Sequence, residues 1–229
     1  MKIYVTTSDK YVYMIPTYAY LFNKYWPNQD VNVLCFNLPS QPLPSNFTAV
    51  SLGKQNHFAP RDWSGPLRNF LVNCPEEYFV FTLEDELLLG PVDQHKIDIL
   101  EKEVREGRAQ KAIIHNLCNR MCTEKYMDDI WLIPQNMRYR LTLHPSIWNK
   151  NYLLKYLTPG MMPQRFELAK DAAAQNDGAV IISYDGPHIF SCQGIHYQGR
   201  RRVIGDFKDY LICEEDTRLV QELLDYHVD

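Results

Sequence analysis

The chain of 229 residues has no long apolar run. Nothing in it approaches the roughly 18 consecutive apolar residues that a membrane-spanning helix needs, so no transmembrane segment is expected. Met1-Lys2 leads straight into a strand-like stretch with no apolar leader, which gives the expectation of a cytoplasmic protein. Basic charge is not in excess: 24 Lys and Arg against 28 Asp and Glu leave a net charge of −4. That balance argues against a nucleic-acid duplex as partner. The one concentrated basic stretch, GRRRV at 199–203, fits a solvated turn as well as a phosphate contact. Cysteine is sparse, with six scattered residues and no C-x2-C pair, and thiols are expected rather than disulfides. His115, Cys118 and Cys122 stand close together in IIHNLCNRMC, but a fourth zinc ligand is missing and packing thiols are the better reading. The sequon at Asn46 matters only on a secretory route and is set aside. There is no internal repeat, low-complexity tract or linker, so a single domain over 1–229 is expected.

What the chain does have is 45% hydrophobic residues and 15 tyrosines, enough for a large core and for aromatic clefts. Strand-like and helix-like segments alternate over the first 115 or so residues. Strands are expected at 2–7, 31–36, 47–52, 78–83 and 111–116, and helices at 11–26, 63–74 and 92–107. Pro16 falls in the first turn of its helix, where a missing N–H costs nothing, and Gly107 stops the third. Alternation of this kind implies an α/β fold with a mostly parallel, Rossmann-type sheet flanked by helices. The ligand site is then expected in loops at the carboxyl ends of the strands. The second half, 117–229, reads as a less regular elaboration. Antiparallel strands are expected at 130–134 and 139–143, helices at 146–157, 163–175 and 214–227, and strands at 179–184 and 194–199. An exposed aromatic helix would suit a homodimer or a membrane-surface contact.

One stretch stands out: FVFTLEDELLLGPVD at 79–93, an apolar strand running into Glu84, Asp85 and Glu86. Adjacent carboxylates repel, and a strand end tolerates them where a cation neutralises them. Hard cations such as Mg²⁺ and Mn²⁺ take oxygen ligands and keep positions open for phosphate oxygens. A solvated strand end is the alternative for the acids alone.

This stretch resembles the strand, acidic motif and following segment of GT-A-type glycosyltransferases, the nucleotide-diphospho-sugar transferases, and the resemblance extends over most of the chain. The usual motif is Asp-x-Asp. Glu84 and Glu86 fall on its first and third positions with Asp85 between, so the longer glutamates depart from the pattern and Asp85 is an alternative main ligand. The resemblance implies a GT-A-like domain with a nucleotide-binding half (1–116) and an acceptor-binding half (117–229). It implies a hexosyltransferase-type enzyme that moves a sugar from a UDP- or GDP-sugar to a glycan or other hydroxyl acceptor with Mn²⁺ or Mg²⁺. VTTSDKY at 5–11 lies where that family holds base and ribose, which implicates Thr6, Thr7, Ser8 and Tyr11. An Asx or ST turn is the alternative there. Arg68 is expected to reach the nucleotide or pyrophosphate. Phe166-Glu167 is similar to an aromatic-Glu element that makes Glu167 the expected catalytic base, with Trp148 and Phe166 as acceptor contacts. In GIHYQGRRRVIG (194–205), His196 is implied as a further metal ligand and Arg200 and Arg201 as diphosphate contacts. Two other functions stay open: a non-catalytic nucleotide- or glycan-binding module on the same fold, and a metal-dependent phosphohydrolase using the three acids.

Overall fold

The computed structural model describes residues 1–59, 61–115, 122, 124–169, 171–184, 192–197 and 200–226. Apolar, β-branched and aromatic stretches form strands β1 (Ile3–Thr6), β2 (Val31–Cys35), β3 (Phe47–Ser51) and β4 (Tyr78–Leu83), each buried along most of its length except β3 at the sheet edge. These four are parallel and adjacent, in the order β3-β2-β1-β4. Helices α1 (Ile15–Tyr25), α2 (Ser64–Asn73) and α3 (Gln94–Arg105) follow β1, β3 and the short β5 (Glu86–Leu88). Pro16 sits at the start of α1 as its missing N–H requires.

The sheet then becomes mixed. β6 (Lys111–Ile113), β7 (Lys125–Met127), β8 (Ile130–Leu132), β9 (Ser146–Asn149) and β10 (Ile181–Tyr184) extend it to nine strands. The full order is β3-β2-β1-β4-β9-β6-β10-β8-β7. β9 runs antiparallel between β4 and β6, so strands from both halves of the chain alternate in one sheet. Here the expected helix over 146–157 is corrected. Its first four residues are a central strand, and α4 (Lys150–Tyr156) starts only after Asn149, whose side chain accepts from Tyr152 N at 3.1 Å as an N-cap. The strand expected at 139–143 is also absent. Residues 138–141 form a turn because Arg140 points into the protein.

Helices α5 (Pro163–Ala169), α6 (Asp171–Ala174) and α7 (Glu214–Asp225) complete the cover. Short strands β11 (Cys192–Gly194), β12 (His196–Tyr197) and β13 (Arg200–Arg201) lie outside the main sheet, with β11 paired to β5 and β12 to β13. One core packs α1, α3 and α7 on one face of the sheet, and a second packs α2, α4 and α5 on the other. No described helix is long and apolar enough to cross a membrane. Cys35, Cys74 and Cys213 are free thiols, and Cys118 lies outside the described residues.

α7 is fixed to α1 by a buried charge. Asp216 is fully buried and accepts from Lys24 Nζ at 2.7 Å and from Tyr25 Oη at 2.7 Å. Burial alone would raise its carboxyl, but the bonds from Lys24 and Tyr25 outweigh it and hold Asp216 below the usual carboxylate range. A depressed acid contributes stability above its unfolded pKa of about 4, and that contribution is lost as pH falls through the lower folded value. Asp216→Asn is expected to cost about 2 kcal/mol in urea unfolding above about pH 5, with the gap from the native protein closing below about pH 4. A gap independent of pH would contradict the assignment.

Candidate active site

Because β1, β2, β3 and β4 are parallel, the loops leaving them open on one side, and they line a cleft of about 590 Å³. Thr6 comes from the end of β1, Thr7, Ser8, Lys10 and Tyr11 from the loop after it, Phe36 from that after β2, and Leu52 from that after β3. Leu83, Glu84 and Asp85 come from the end of β4. The facing wall is built from 61–63 and 162–164, two segments distant in sequence but stitched together. Asp62 Oδ1 accepts from Gly65 N at 2.7 Å and from Gly160 N at 2.8 Å. Ser64 Oγ donates to Thr158 O at 2.7 Å and accepts from Met161 N at 2.8 Å. Gly65 leaves room for the Asp62 carboxylate: a Cβ there would lie 2.4 Å from Asp62 Oδ2 and force the side chain to shift. Trp63 Nε1 spans the cleft floor to Thr6 Oγ1 at 3.3 Å.

The chain turns at Glu84–Asp85 before β5 begins, and this breaks the alternation that would put Glu84 and Glu86 on one side. The structure brings Glu84 and Asp85 to the cleft and does not bring Glu86 to its lining. Glu84 is almost wholly buried; burial first, then the Asp85 charge, push its carboxyl up. Burial and then Glu86 push Asp85 up as well. Glu86 instead lies against His144, with Oε1 2.8 Å from Nδ1, although the ring N–H is not well aligned for a hydrogen bond. Burial would lower the His144 imidazole, but the Glu86 carboxylate outweighs it and the net shift is upward. The His115 ring is 5.4 Å from that of His144. Glu167, on α5, is half-buried, and its Oε1 accepts from Leu143 N at 2.7 Å and from Thr142 Oγ1 at 3.3 Å. Its charge acts on both Asp85 and His144, so Asp85, Glu86, His144 and Glu167 form one acidic patch around a histidine.

Of the residues expected from sequence, Thr6, Thr7, Ser8, Tyr11, Glu84 and Asp85 share the cleft. Arg68 does not: its Nη1 donates to Leu154 O at 2.7 Å and Leu157 O at 3.2 Å, closing the C-terminal turn of α4. Arg68→Ala is therefore expected to cost about 1–2 kcal/mol of stability and to leave nucleotide affinity unchanged, which unfolding and ligand titration of the same variant would check. Trp148 and Phe166 are fully buried, their rings 6.5 Å apart, and cannot meet an acceptor. Arg201 donates from Nη2 to Leu223 O at 2.6 Å at the end of α7, near enough for its charge to act on Tyr11. Arg200 is exposed on β13, and the His196 side chain lies outside the described residues. Sequence reading missed Lys10, Phe36, Arg61, Asp62, Trp63 and Gln164 on the cleft. For Asp62 a signal was present, since an Asp just before a helix start favours accepting from the first-turn N–H groups, as it does from Gly65 N.

No protein-family model and no curated protein matches the chain. Solved structures do. The TarS 1–349 fragment from S. aureus superposes with a TM-score of 0.53 at 13% identity, over 82% of this chain and 59% of that one. HddC from Yersinia pseudotuberculosis gives 0.53 at 11% identity, over 91% and 97%. The mannosyltransferase PcManGT from Pyrobaculum calidifontis, in complex with GDP-Man and Mn²⁺, gives 0.50 at 12% identity, over 86% and 57%. The chain thus spans less than two thirds of TarS 1–349 and of the mannosyltransferase. Its mixed sheet, the four parallel strands β1 to β4 and these superpositions give it a GT-A-like fold.

Proposed function

We propose that the protein is a glycosyltransferase that takes a hexosyl group from a UDP- or GDP-sugar and passes it to a hydroxyl acceptor, a glycan foremost. The observation that carries this is the meeting of Thr7, Tyr11, Glu84 and Asp85 in one cleft at the carboxyl ends of parallel strands. Tyr11 offers a ring for the base, and Thr6 and Ser8 offer hydroxyls for the ribose. The mannosyltransferase of similar fold, described with GDP-Man and Mn²⁺, supports a nucleotide-sugar donor.

The loop after β1, TSDKYVYM, contains no glycine and no residue at positive φ, so it cannot wrap a phosphate chain in backbone N–H groups. A diphosphate here needs neutralisation by side chains and a cation. Glu84 and Asp85 fit that need, as two acids pushed up by burial and mutual repulsion form a donor set that a hard divalent ion relieves. Among the described residues no group of three His, Cys, Asp or Glu side chains is arranged to hold a metal ion, so two carboxylates would hold it and substrate oxygens would complete its shell. Such an ion supplies charge stabilisation to the departing diphosphate. Lys10 and Arg61 line the same cleft and add positive charge. Glu167, outside the cleft lining but near enough for its charge to act on Asp85, is the proposed base for the acceptor hydroxyl; its Oε1 is tied to Leu143 N and the Thr142 hydroxyl, which fixes the carboxylate while Oε2 takes the proton.

Thermal-shift titration with UDP, GDP, CMP and ADP, each with and without Mn²⁺, tests the donor site. Ligand at about 100 times Kd adds about 2.7 kcal/mol, or roughly 5–10 °C for a chain of this size. A shift for one nucleoside diphosphate that needs Mn²⁺ supports the reading, and no shift with any nucleotide refutes it. Binding without transfer to any acceptor would leave a nucleotide-binding module, and release of free sugar alone would make it a hydrolase.

A further inference from the structure

A second and larger cavity, about 850 Å³, lies beside the donor cleft between the start of α1, the loop after β2 and one face of α7. Tyr13, Tyr20 and Tyr226 line it together with Pro16 and Pro39. Tyr13 and Tyr226 stack face to face with centroids 3.9 Å apart and planes within 16°, so Tyr13 backs the half-exposed Tyr226, whose outer face is the aromatic plate. Tyr20 and Tyr226 are 39% and 50% exposed, unusual for large rings on one wall of a groove. Polar groups edge the plate: Thr17, Ser40, Gln41 and Asp9. Charge is close to balanced there. Glu215 and Glu222 both pair with Arg218, Asp9 Oδ1 accepts from Asn37 N at 2.8 Å, and Lys10 is the one basic residue among the described lining.

Flat apolar faces with an edge of hydroxyl, amide and carboxylate groups and little net charge match a neutral polyhydroxylated ring. Such a ring presents C–H groups to the plate and hydroxyls to the edge. An anionic polymer would find too little positive charge, and an aliphatic partner would leave the polar edge unpaired. We propose that this groove is a saccharide-binding site separate from the donor cleft, gripping a neutral glycan chain against Tyr20 and Tyr226. Lys10 lines both cavities, so a bound chain reaches the border of the donor cleft. The groove's chemistry stands without the transferase reading, which it deepens by making a polymeric glycan a ligand of the same molecule.

Affinity electrophoresis of the whole chain through gels containing a neutral mannan, glucan or galactan tests it, with polyglutamate and a proline-rich peptide as controls. Retardation by at least one neutral polysaccharide is expected. Tyr226→Ala and Tyr20→Ala should weaken it at least tenfold, while Tyr226→Trp keeps the plate and the binding. The nucleotide-induced thermal shift, measured on the same variants, should stay unchanged and so reports the donor site independently. No retardation by any of the three polysaccharides, retardation indifferent to both alanine variants, or binding of the proline-rich peptide alone overturns the proposal.

Discussion

Replacing Arg140 by methionine is expected to destabilise the protein by about 3–5 kcal/mol, a fall in Tm of roughly 10 °C for a chain of this length. Arg140 is completely buried, and its guanidinium donates to five acceptors. Nε reaches Ala174 O at 2.9 Å, and Nη1 reaches Ile133 O at 3.0 Å and Pro134 O at 2.9 Å. Nη2 reaches Ala179 O at 2.7 Å and Asp177 Oδ1 at 3.3 Å. Methionine fills a similar volume and satisfies none of them, leaving four carbonyls and a carboxylate without that donor. Arg140→Lys should recover little of the loss, because one ammonium cannot span acceptors spread around a planar fork. The cost also reaches the site. Lys111, itself buried with Nζ 4.1 Å from the Trp148 ring centroid, donates to Arg140 O at 3.2 Å and Thr142 O at 2.6 Å. Those two cations hold the backbone that carries His144 and receives Glu167. Differential scanning calorimetry of both variants checks the size of the effect. A drop below about 1 kcal/mol would mean that water replaces the lost donors.

The same residues explain where sequence reading stopped. The four parallel strands of the first half were legible because buried strands are continuous apolar runs bounded by turns, as in YFVFTL at 78–83. YRLTL at 139–143 instead alternates apolar and polar residues, as a half-buried strand does, but that rule assumes that arginine faces water. The carbonyls that draw Arg140 inward come from 133–134, 174 and 179, and no local pattern reveals them. SIWNKNYLLKYL hid a strand because Trp148, Leu153 and Tyr156 keep a helical spacing with it; only Asn149, capping α4, marked the boundary. The acidic site was half legible. Three acids after a strand announced a charged strand end, but which of them face the cleft depends on a turn at Glu84–Asp85 that composition does not fix. An aromatic ring serves core and cleft alike; core was the better reading for Trp148 from sequence, and both Trp148 and Phe166 went to the core.

Asp85→Asn is expected to abolish the Mn²⁺-dependent part of nucleotide binding and to lower any transfer rate by about 10²–10³, the usual loss when one preorganised electrostatic group at a reacting charge is removed. Asp85 is half-buried on the cleft with Glu84 beside it, and both carboxyls are held up by burial and by neighbouring negative charge. Removing one charge therefore relieves repulsion in the free protein. The variant should be as stable as the native chain or more so, while losing the attraction for a cation. This opposite movement of stability and binding separates a ligand-holding acid from a structural one, whose loss lowers both. Glu86→Gln provides the internal control. Glu86 sits against His144 and outside the cleft lining, so its loss should leave the Mn²⁺-dependent thermal shift intact and act on the acceptor side, through the imidazole, as a fall in turnover. If Glu86→Gln rather than Asp85→Asn eliminated the metal-dependent shift, the two carboxylates would have exchanged roles, and the Asp-x-Asp spacing would outweigh the turn that separates Glu84 from Glu86.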